Sequence, residues 1–342
     1  MKLSRDLGID LGTANVLIYA AGKGIVLREP AVVAVDKNDG KVIRVGSEAR
    51  SMMGRTPGNV EAVRPMRTGA ISDYDMTEKL LSGFLRKIVG YSLIKPRVVI
   101  SVPSGITEVE ERAVIQAAME AGARRAYLIE EPLAAALGAQ VDVSDPKGHM
   151  VVNVGGGITD LAVLSMGSVA TSATLRVGGD AFDEALIAYV RKHYGILIGE
   201  NTAEEVKIAV GCVAERPTEQ SMQLKGRDLK TGLPRECTVT STELLEVFKR
   251  PMRLIVDEIL SVMEQTAPEL VADLAETGIV LTGGGSQLWG MAEAISQRTE
   301  IPCHVADDPE SCVALGCGKS LNWLRTMQEG PINLARRKLL ED

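Results

Sequence analysis

The sequence predicts an α/β fold of two similar domains around a nucleotide cleft, and three observations carry the prediction. Met150–Asp160 (MVVNVGGGITD) reads as a buried strand, a glycine turn and a strand returning through Leu161–Leu164. A related unit lies about 140 residues earlier, where the apolar run Leu7–Leu11 ends in Gly12, Thr13, Ala14 and Asn15 and resumes as VLIYA. Asp10 there stands where Asn153 stands in the later unit, so the pair suggests a duplicated domain. Ile279, Val280 and Leu281 then form a third short buried strand, ending in Thr282, Gly283, Gly284, Gly285 and Ser286. Glycine turns gather backbone N–H groups and let a bulky anion approach, which suits a phosphate. One such turn alone fits an ordinary hairpin equally well; repetition is what favours the cleft.

Length and composition set the frame. The 342 residues give room for about two domains and a sizeable core. With 45% apolar and 24% charged residues, general disorder is excluded. A net charge of −7 argues against nucleic acid as a partner, since that needs a basic face. Cys212, Cys237, Cys303, Cys312 and Cys317 include no CxxC pair and read as reduced thiols. The start, MKLSRDLGIDLGT, lacks the apolar run of a signal peptide, and no stretch approaches ~18 apolar residues. The expected location is therefore cytoplasmic, with any membrane contact peripheral.

After the first hairpin, the β-type runs IVL, AVVAV and KVIRV between Ile25 and Val45 are broken by Pro30 and by a turn at Asn38, Asp39 and Gly40. Gly46 to Arg67 reads as a loop with a short helix. The spacing of Leu80, Leu81, Phe84, Leu85 and Ile88 predicts a helix over 77–89, stopped by Gly90. In GYSLIK, which follows, Leu93 and Ile94 have two readings. They are either tucked into the core or exposed and dipping into a membrane beside Lys87, Lys95 and Arg97, whose charge favours anionic headgroups. A strand over Arg97–Val102 precedes a helix from Thr107 to Gly122, with Thr107 and Glu110 in capping-box spacing and Gly122 as the stop. The strand Arg125 to Ile129 runs into Glu130, Glu131 and Pro132. Proline suits a first helical turn, so Glu131 falls at the carboxyl end of a strand, where it either acts on a water or merely complements the helix dipole.

In the second half, Gly178, Gly179 and Asp180 open a helix over AFDEALIAYVRKHY that Gly195 ends. Thr202 to Gly211 reads as another helix, with Thr202 and Glu205 in capping-box spacing. On it Glu204 and Lys207 are three apart and share a face, as a solvated ion pair or as a grip on the polar edge of a ribose or base. Ser221 to Val239 alternates about a turn at Gly232, which suggests a small sheet. Glu243 to Gln265 reads as a long helix carrying Pro251, and a helix is expected from about Leu288. The third glycine turn lacks GxGxxG spacing. GCGKS at Gly316–Ser320 resembles the tail of a phosphate loop, but Val313 stands where the first glycine is required, which rejects a Walker A site. His149, His193 and His304 have no neighbouring ligand at metal spacing.

Several segments together resemble the MreB family of bacterial actin homologues. They are DLGTAN (Asp10–Asn15), GKGIVLREPAVVA (Gly22–Ala34), RPMRTGAISDY (Arg64–Tyr74), KPRVVISVPSGIT (Lys95–Thr107), IEEPLAAALGA (Ile129–Ala139) and VLTGGGSQL (Val280–Leu288). The resemblance runs from about Leu7 to Lys319. The hairpins and the Glu-Pro pair fit a wider superfamily of actins, sugar kinases and heat-shock chaperones; GKGIVLREP and RPMRTGAISDY single out MreB.

The resemblance implies an actin-like fold, in which duplicated ribonuclease-H-like domains each carry a smaller subdomain. Domain I is expected at residues 1–140 with an insertion at about 33–65, domain II at 141–320 with an insertion at about 181–248, and segment 321–342 is expected to return to domain I. ATP (or ADP) with Mg²⁺ is the implied ligand. Filaments of the chain itself are implied beneath the inner leaflet of the cell membrane, working with cell-wall synthesis and shape-determining membrane proteins. By position, Asp10, Gly12, Thr13, Ala14 and Asn15 would meet the phosphates, with Asp10 reaching the metal through water. Asn153, Gly155, Gly156 and Gly157 would form the second phosphate turn. Glu204 and Lys207 would approach ribose and adenine, with Gly283, Gly284, Gly285 and Ser286 closing over the nucleoside. Glu131 would position the attacking water, and Leu93 and Ile94 would be a membrane-insertion loop.

The second turn departs from the family pattern of an aspartate, IGGG and two threonines. Asn153 replaces the aspartate and Ile158 the first threonine. Asparagine offers a metal-bound water only a neutral oxygen, and isoleucine has no hydroxyl to orient an attacking water. The sequence therefore predicts a protein that binds nucleotide but hydrolyses it slowly. The alternatives are a working ATPase or small-molecule kinase, which should keep an acidic phosphate hairpin, and a regulatory paralogue that does not polymerise.

Overall fold

The computed structural model describes residues 6–56, 58–90 and 95–323. Alternating apolar runs with short turns fold first into an antiparallel meander of β1 (Leu7–Leu11), β2 (Asn15–Ala20) and β3 (Gly24–Pro30). Next come β4 (Val33–Asp36), β5 (Val42–Val45), α1 (Ser47–Met52) and β6 (Val60–Val63), whose strands make a small sheet in the order β5-β4-β6. A short ribbon of β7 (Met66–Arg67) and β8 (Ala70–Ile71) leads into α2 (Tyr74–Val89). Then β9 (Arg97–Val102), α3 (Glu108–Glu120), β10 (Arg125–Glu130) and α4 (Glu131–Gly138) complete the first half. β9 lies parallel to β1 and β10 parallel to β9, as the crossover through α3 requires.

The second half repeats this plan. β11 (His149–Val154), β12 (Thr159–Ser165) and β13 (Ser168–Leu175) form the meander. α5 (Gly179–Tyr194), β14 (Ile196–Leu197), α6 (Glu200–Val210), β15 (Ser221–Asp228) and β16 (Pro234–Thr240) follow, with a small sheet in the order β14-β15-β16. α7 (Ser241–Gln265), α8 (Pro268–Thr277), β17 (Ile279–Thr282), α9 (Met291–Thr299), β18 (Cys303–Val305) and α10 (Cys312–Ser320) close it. The main sheets run β3-β2-β1-β9-β10 and β13-β12-β11-β17-β18 with the same strand directions. Duplication read from two turns therefore extends to the whole sheet plan.

Each half has its own apolar core, and a third core joins them. Val99 and Ile129 of the first sheet and Val151, Ala162 and Val280 of the second share one buried cluster with Leu133–Ala136 of α4 and Val313 and Cys317 of α10. Burying each valine, leucine or isoleucine of this cluster contributes about 1.5–3 kcal/mol, which makes the two helices a common spine. Their approach needs glycine. A Cβ on Gly316 would lie 1.8 Å from the Ala134 carbonyl oxygen, and one on Gly138 would lie 1.7 Å from that of Cys312. The GCGKS stretch is thus a helix-packing surface, consistent with rejecting a phosphate loop.

Several expected boundaries move. α6 begins at Glu200 with Gly199 as N-cap and no side-chain cap, so Thr202 lies inside the first turn and forms no capping box with Glu205. α2 starts at Tyr74 because the Asp73 carboxylate accepts from the Met76 N–H. α7 starts at Ser241, capped by a Thr240–Glu243 box two residues before the sequence suggests. The helix expected from about Leu288 forms as α9 but starts at Met291, because Gly290 takes a left-handed conformation (φ 83) just before it, and a 3-10 turn, Gly284–Gln287, precedes both. The Thr107–Glu110 box forms as expected.

Candidate functional site

The β1–β2 and β11–β12 turns meet face to face between the two halves. A Cβ on Gly156 would fall 2.6 Å from the Ala14 Cβ, and one on Gly157 would fall 2.8 Å from the Thr13 Cγ2. Above them lies a cavity of about 310 Å³, at the small end of the usual range for ligand sites. The first turn lines it with Asp10, Gly12, Thr13, Ala14 and Asn15, and the second with Asn153, Gly155 and Gly156. Glu131, Glu204, Lys207 and the third turn, Gly283, Gly284 and Gly285, complete the expected set. Two expected residues stand back from the wall. Gly157 packs on Thr13, and Ser286 is buried with its hydroxyl donating to the Gly283 carbonyl at 2.6 Å.

The N-terminus of α5 abuts the second turn. Gly179 and Asp180 N–H groups donate to the Gly155 and Gly156 carbonyls at 2.9 and 2.8 Å, and a Cβ on Gly178 would sit 2.6 Å from the Gly155 oxygen. The positive end of that helix dipole therefore faces the turn. On the opposite wall, Gly283 (φ 80) lets the third turn approach so closely that a Cβ would lie 2.7 Å from Asn153 Oδ1.

The polar groups form a connected set. Asn153 donates from Nδ2 to Glu131 Oε1 at 2.5 Å and accepts from the Thr282 hydroxyl at 3.0 Å, tying β11 to α4 and β17. Asp160, fully buried, accepts from the Thr174 hydroxyl at 2.7 Å and from the Ser104 N–H at 3.0 Å across the cleft. Burial pushes Asp10 and Asp160 up to about 7; Ser101 partly offsets this for Asp10, and Thr174 and Ser104 do so for Asp160. Glu131 is raised well above the usual carboxylate range, by burial first and then by Asp160 and Asp10, while the Asn153 amide works the other way. The remaining departure, Ile158, is buried, and a Cβ on Gly69 would touch its Cδ1 at 2.7 Å. An apolar contact thus occupies the place expected for a hydroxyl.

Glu204 and Lys207 share a face as expected but do not pair with each other. Lys207 donates to Asp183 Oδ2 at 2.8 Å and to the Gly179 carbonyl at 3.0 Å. Glu204 forms an ion pair with Arg50 of α1, and Arg64 reaches Asp180 at 3.1 Å, so two ion pairs cross the cleft. Asp183 is the main residue that sequence reading missed. Burial raises it to about 6 despite Lys207, and its Oδ1 is buried without a hydrogen-bond partner. It lies one helical turn after Gly179 on α5, so the glycine pair that opens the helix was the available signal. Glu310 and Gln287 also line the wall and were not foreseen.

These features fit a nucleotide with a divalent cation. The orphaned Asp183 oxygen is an acceptor suited to a sugar hydroxyl, and the crowded acids Asp10, Glu131 and Asp160 call for positive charge. No group of three or more metal-ligating side chains occurs among the described residues. Mg²⁺ takes one or two carboxylates and draws its other ligands from water and phosphate, so Asp10 beside a bound phosphate would be enough to hold it. Leu93 and Ile94 lie outside the described residues. Of the bases expected beside them, Arg97 is held by Asp6 through contacts of 2.5 and 3.1 Å, and Lys87 lies 3.4 Å from Glu29. No helix among the described residues is long and apolar enough to cross a membrane.

Comparison with known proteins bears on the family and the fold. The MreB/Mbl protein family model matches residues 4–329. The cell shape-determining protein Mbl of Bacillus cereus is 48% identical over 316 residues, covering 92% of this chain and 95% of the relative. The cell shape-determining protein MreB of Escherichia coli is 47% identical over 327 residues, covering 94% of each. Among solved structures, MreB5 of Spiroplasma citri bound to AMPPNP superposes with a TM-score of 0.90 at 34% identity, covering 95% of this chain and 98% of that one. The same protein bound to ADP also gives 0.90, covering 94% and 98%. A MamK double helical filament, at 21% identity and a TM-score of 0.78, covers 95% of this chain and all of its own, and it supports the actin-like fold alone.

Proposed function

This chain belongs to the MreB/Mbl family of bacterial actin homologues, and from that premise we propose that it is a nucleotide-dependent, filament-forming protein that organises cell-wall synthesis and cell shape. ATP (or ADP) with Mg²⁺ fills the cavity between the halves. The observation that carries this reading is the contact of the two turns, Gly156 on Ala14, at one end of a cavity lined from both halves. AMPPNP and ADP in the Spiroplasma relative support the choice of ligand.

In this reading Gly12, Thr13, Ala14 and Asn15 hold the phosphates from one side, and Gly155 and Gly156, backed by Gly157 and the α5 terminus, hold them from the other. Asp10 would hold Mg²⁺, and the cation would supply the charge that offsets the phosphates. Lys207 and Glu204 face the ribose and base, Asp183 accepts from a sugar hydroxyl, and Gly283, Gly284 and Gly285, braced by the Ser286 hydroxyl on the Gly283 carbonyl, close over the nucleoside. Binding thereby links the two halves. Hydrolysis is slow: Asn153 holds one oxygen of Glu131, and Ile158 offers no hydroxyl to orient a water.

The division into domains at 1–140 and 141–320, with segment 321–342 returning to the first, belongs to the same proposal. So does a peripheral position at the inner leaflet through Leu93 and Ile94, alongside cell-wall synthesis and shape-determining membrane proteins. Sedimentation of the purified protein with and without ATP, followed by electron microscopy of the pellet, tests the central claim. Filaments in the ATP pellet are expected. A monodisperse supernatant under both conditions would sink the filament reading.

A further inference from the structure

GKGIVLREP singles this chain out within its superfamily, yet none of its residues lines the cavity. Its Arg28, on β3, reaches instead to the loop before α10. Nη1 donates to Glu310 Oε2 at 2.7 Å, and Nη2 donates to the Ser311 hydroxyl at 2.7 Å and lies 3.2 and 3.3 Å from the two Asp308 oxygens. The other Glu310 oxygen accepts from Gln287 Nε2 at 3.2 Å. Gln287 ends the 3-10 turn Gly284–Gln287, and the Gly283 N–H donates to the Pro309 carbonyl at 2.8 Å. One guanidinium fork in the first sheet is therefore connected, through Glu310, to the glycine turn of the second.

That loop needs an anchor. Asp308 holds a left-handed backbone (φ 42), a conformation uncommon outside glycine, asparagine and aspartate. A planar fork satisfies several acceptors at fixed angles, which an ammonium cannot. We infer that Arg28 is a positioning residue that, through Glu310, holds the Gly283–Gly285 turn against the nucleoside end of the cavity. The cavity role rests on the nucleotide reading above; the Arg28–Glu310–Gln287 link does not. Because the Arg28 side chain is 44% exposed, its removal should loosen the turn rather than destroy the site.

Two measurements on the full chain test this. In nucleotide-free protein, amide hydrogen exchange at Gly283, Ser286 and Leu288, whose N–H groups are all bonded within the loop and turn, should quicken in Arg28→Ala and less so in Arg28→Lys. Release of a fluorescent ADP analogue with Mg²⁺ should quicken about three- to tenfold in Arg28→Ala, with Arg28→Lys between it and the parent. In a Glu310→Ala background, which removes the acceptor altogether, Arg28→Ala should add less than about twofold, because the path it uses is already cut. Unchanged exchange at these amides, or an equal effect of Arg28→Ala in both backgrounds, would overturn the inference. Where the alanine variant does not fold, Arg28→Lys supplies the same comparison. If the parent binds neither ADP nor ATP, the nucleotide reading fails, and the exchange measurement still decides whether Arg28 positions the turn.

Discussion

The β1–β2 and β11–β12 turns occupy the same place in two copies of one sheet plan, yet they present opposite chemistry. The first keeps an acid, Asp10, to which, among the described residues, only the Ser101 hydroxyl donates, at 3.3 Å, and a hydroxyl, Thr13, that accepts from the Gly69 N–H at 3.3 Å. In the second, Asn153 spends its amide on Glu131 and Thr282, and Ile158 packs against Gly69. One turn retains groups able to meet charge, while the other has become a neutral brace across the cleft. The glycines, which set the backbone, are common to both. Shape and charge thus separate within a duplicated element.

The largest effect should come from breaking the contact between the turns. Valine at Gly156 drives a side chain into Ala14 where even a Cβ has only 2.6 Å, and nucleotide affinity should fall about a hundredfold by titration calorimetry. Affinity within threefold of the parent would mean that the two turns do not jointly hold the ligand.

The next test removes the difference between them. Asn153→Asp with Ile158→Thr restores an acid and a hydroxyl, and phosphate release should rise about tenfold or more. Release from the parent at the rate of ordinary family members, or no gain on restoration, contradicts slow hydrolysis. Asn153→Asp alone places a second carboxylate where an amide now lies 2.5 Å from Glu131, so its nucleotide binding should depend more steeply on Mg²⁺ than the parent's does.

The smallest effect concerns pH in the nucleotide-free protein. Asp10 and Asp160 hold protons up to about 7 when folded, against a reference value of 3.8. The folded state therefore binds more protons than the unfolded chain between these values, so the unfolding midpoint should fall as pH rises from about 4 to about 7. Asp160→Asn should flatten that slope. A midpoint that rises over the same range would show that these acids are ionised and compensated in the fold.

Much of this was legible residue by residue. Turn glycines and the Glu-Pro junction were readable because each encodes a local backbone need, such as a tight approach or a fixed φ. The Thr107–Glu110 cap was readable for the same reason, since both partners lie within one helical turn. Thr202–Glu205 shows the limit: the spacing is right, but the chain enters α6 at Gly199 and the box is never made. Glu204 and Lys207 show another. Their spacing placed them on one face of a helix, whereas their partners, Arg50 and Asp183, come from 154 and 24 residues away.

What the sequence by itself determined was the duplicated plan, the glycine turns and the two departures at Asn153 and Ile158, because these follow from local conformation and residue chemistry. Only the tertiary structure decided where the side chains of those turns are spent. Asn153 meets Glu131 because β11 and the start of α4 are brought together over the shared spine of α4 and α10, and Arg28 reaches Glu310 because the chain before α10 returns beside β3. Pairings across 22 and 282 residues are set by how sheets and helices pack, and no local pattern in the chain records them.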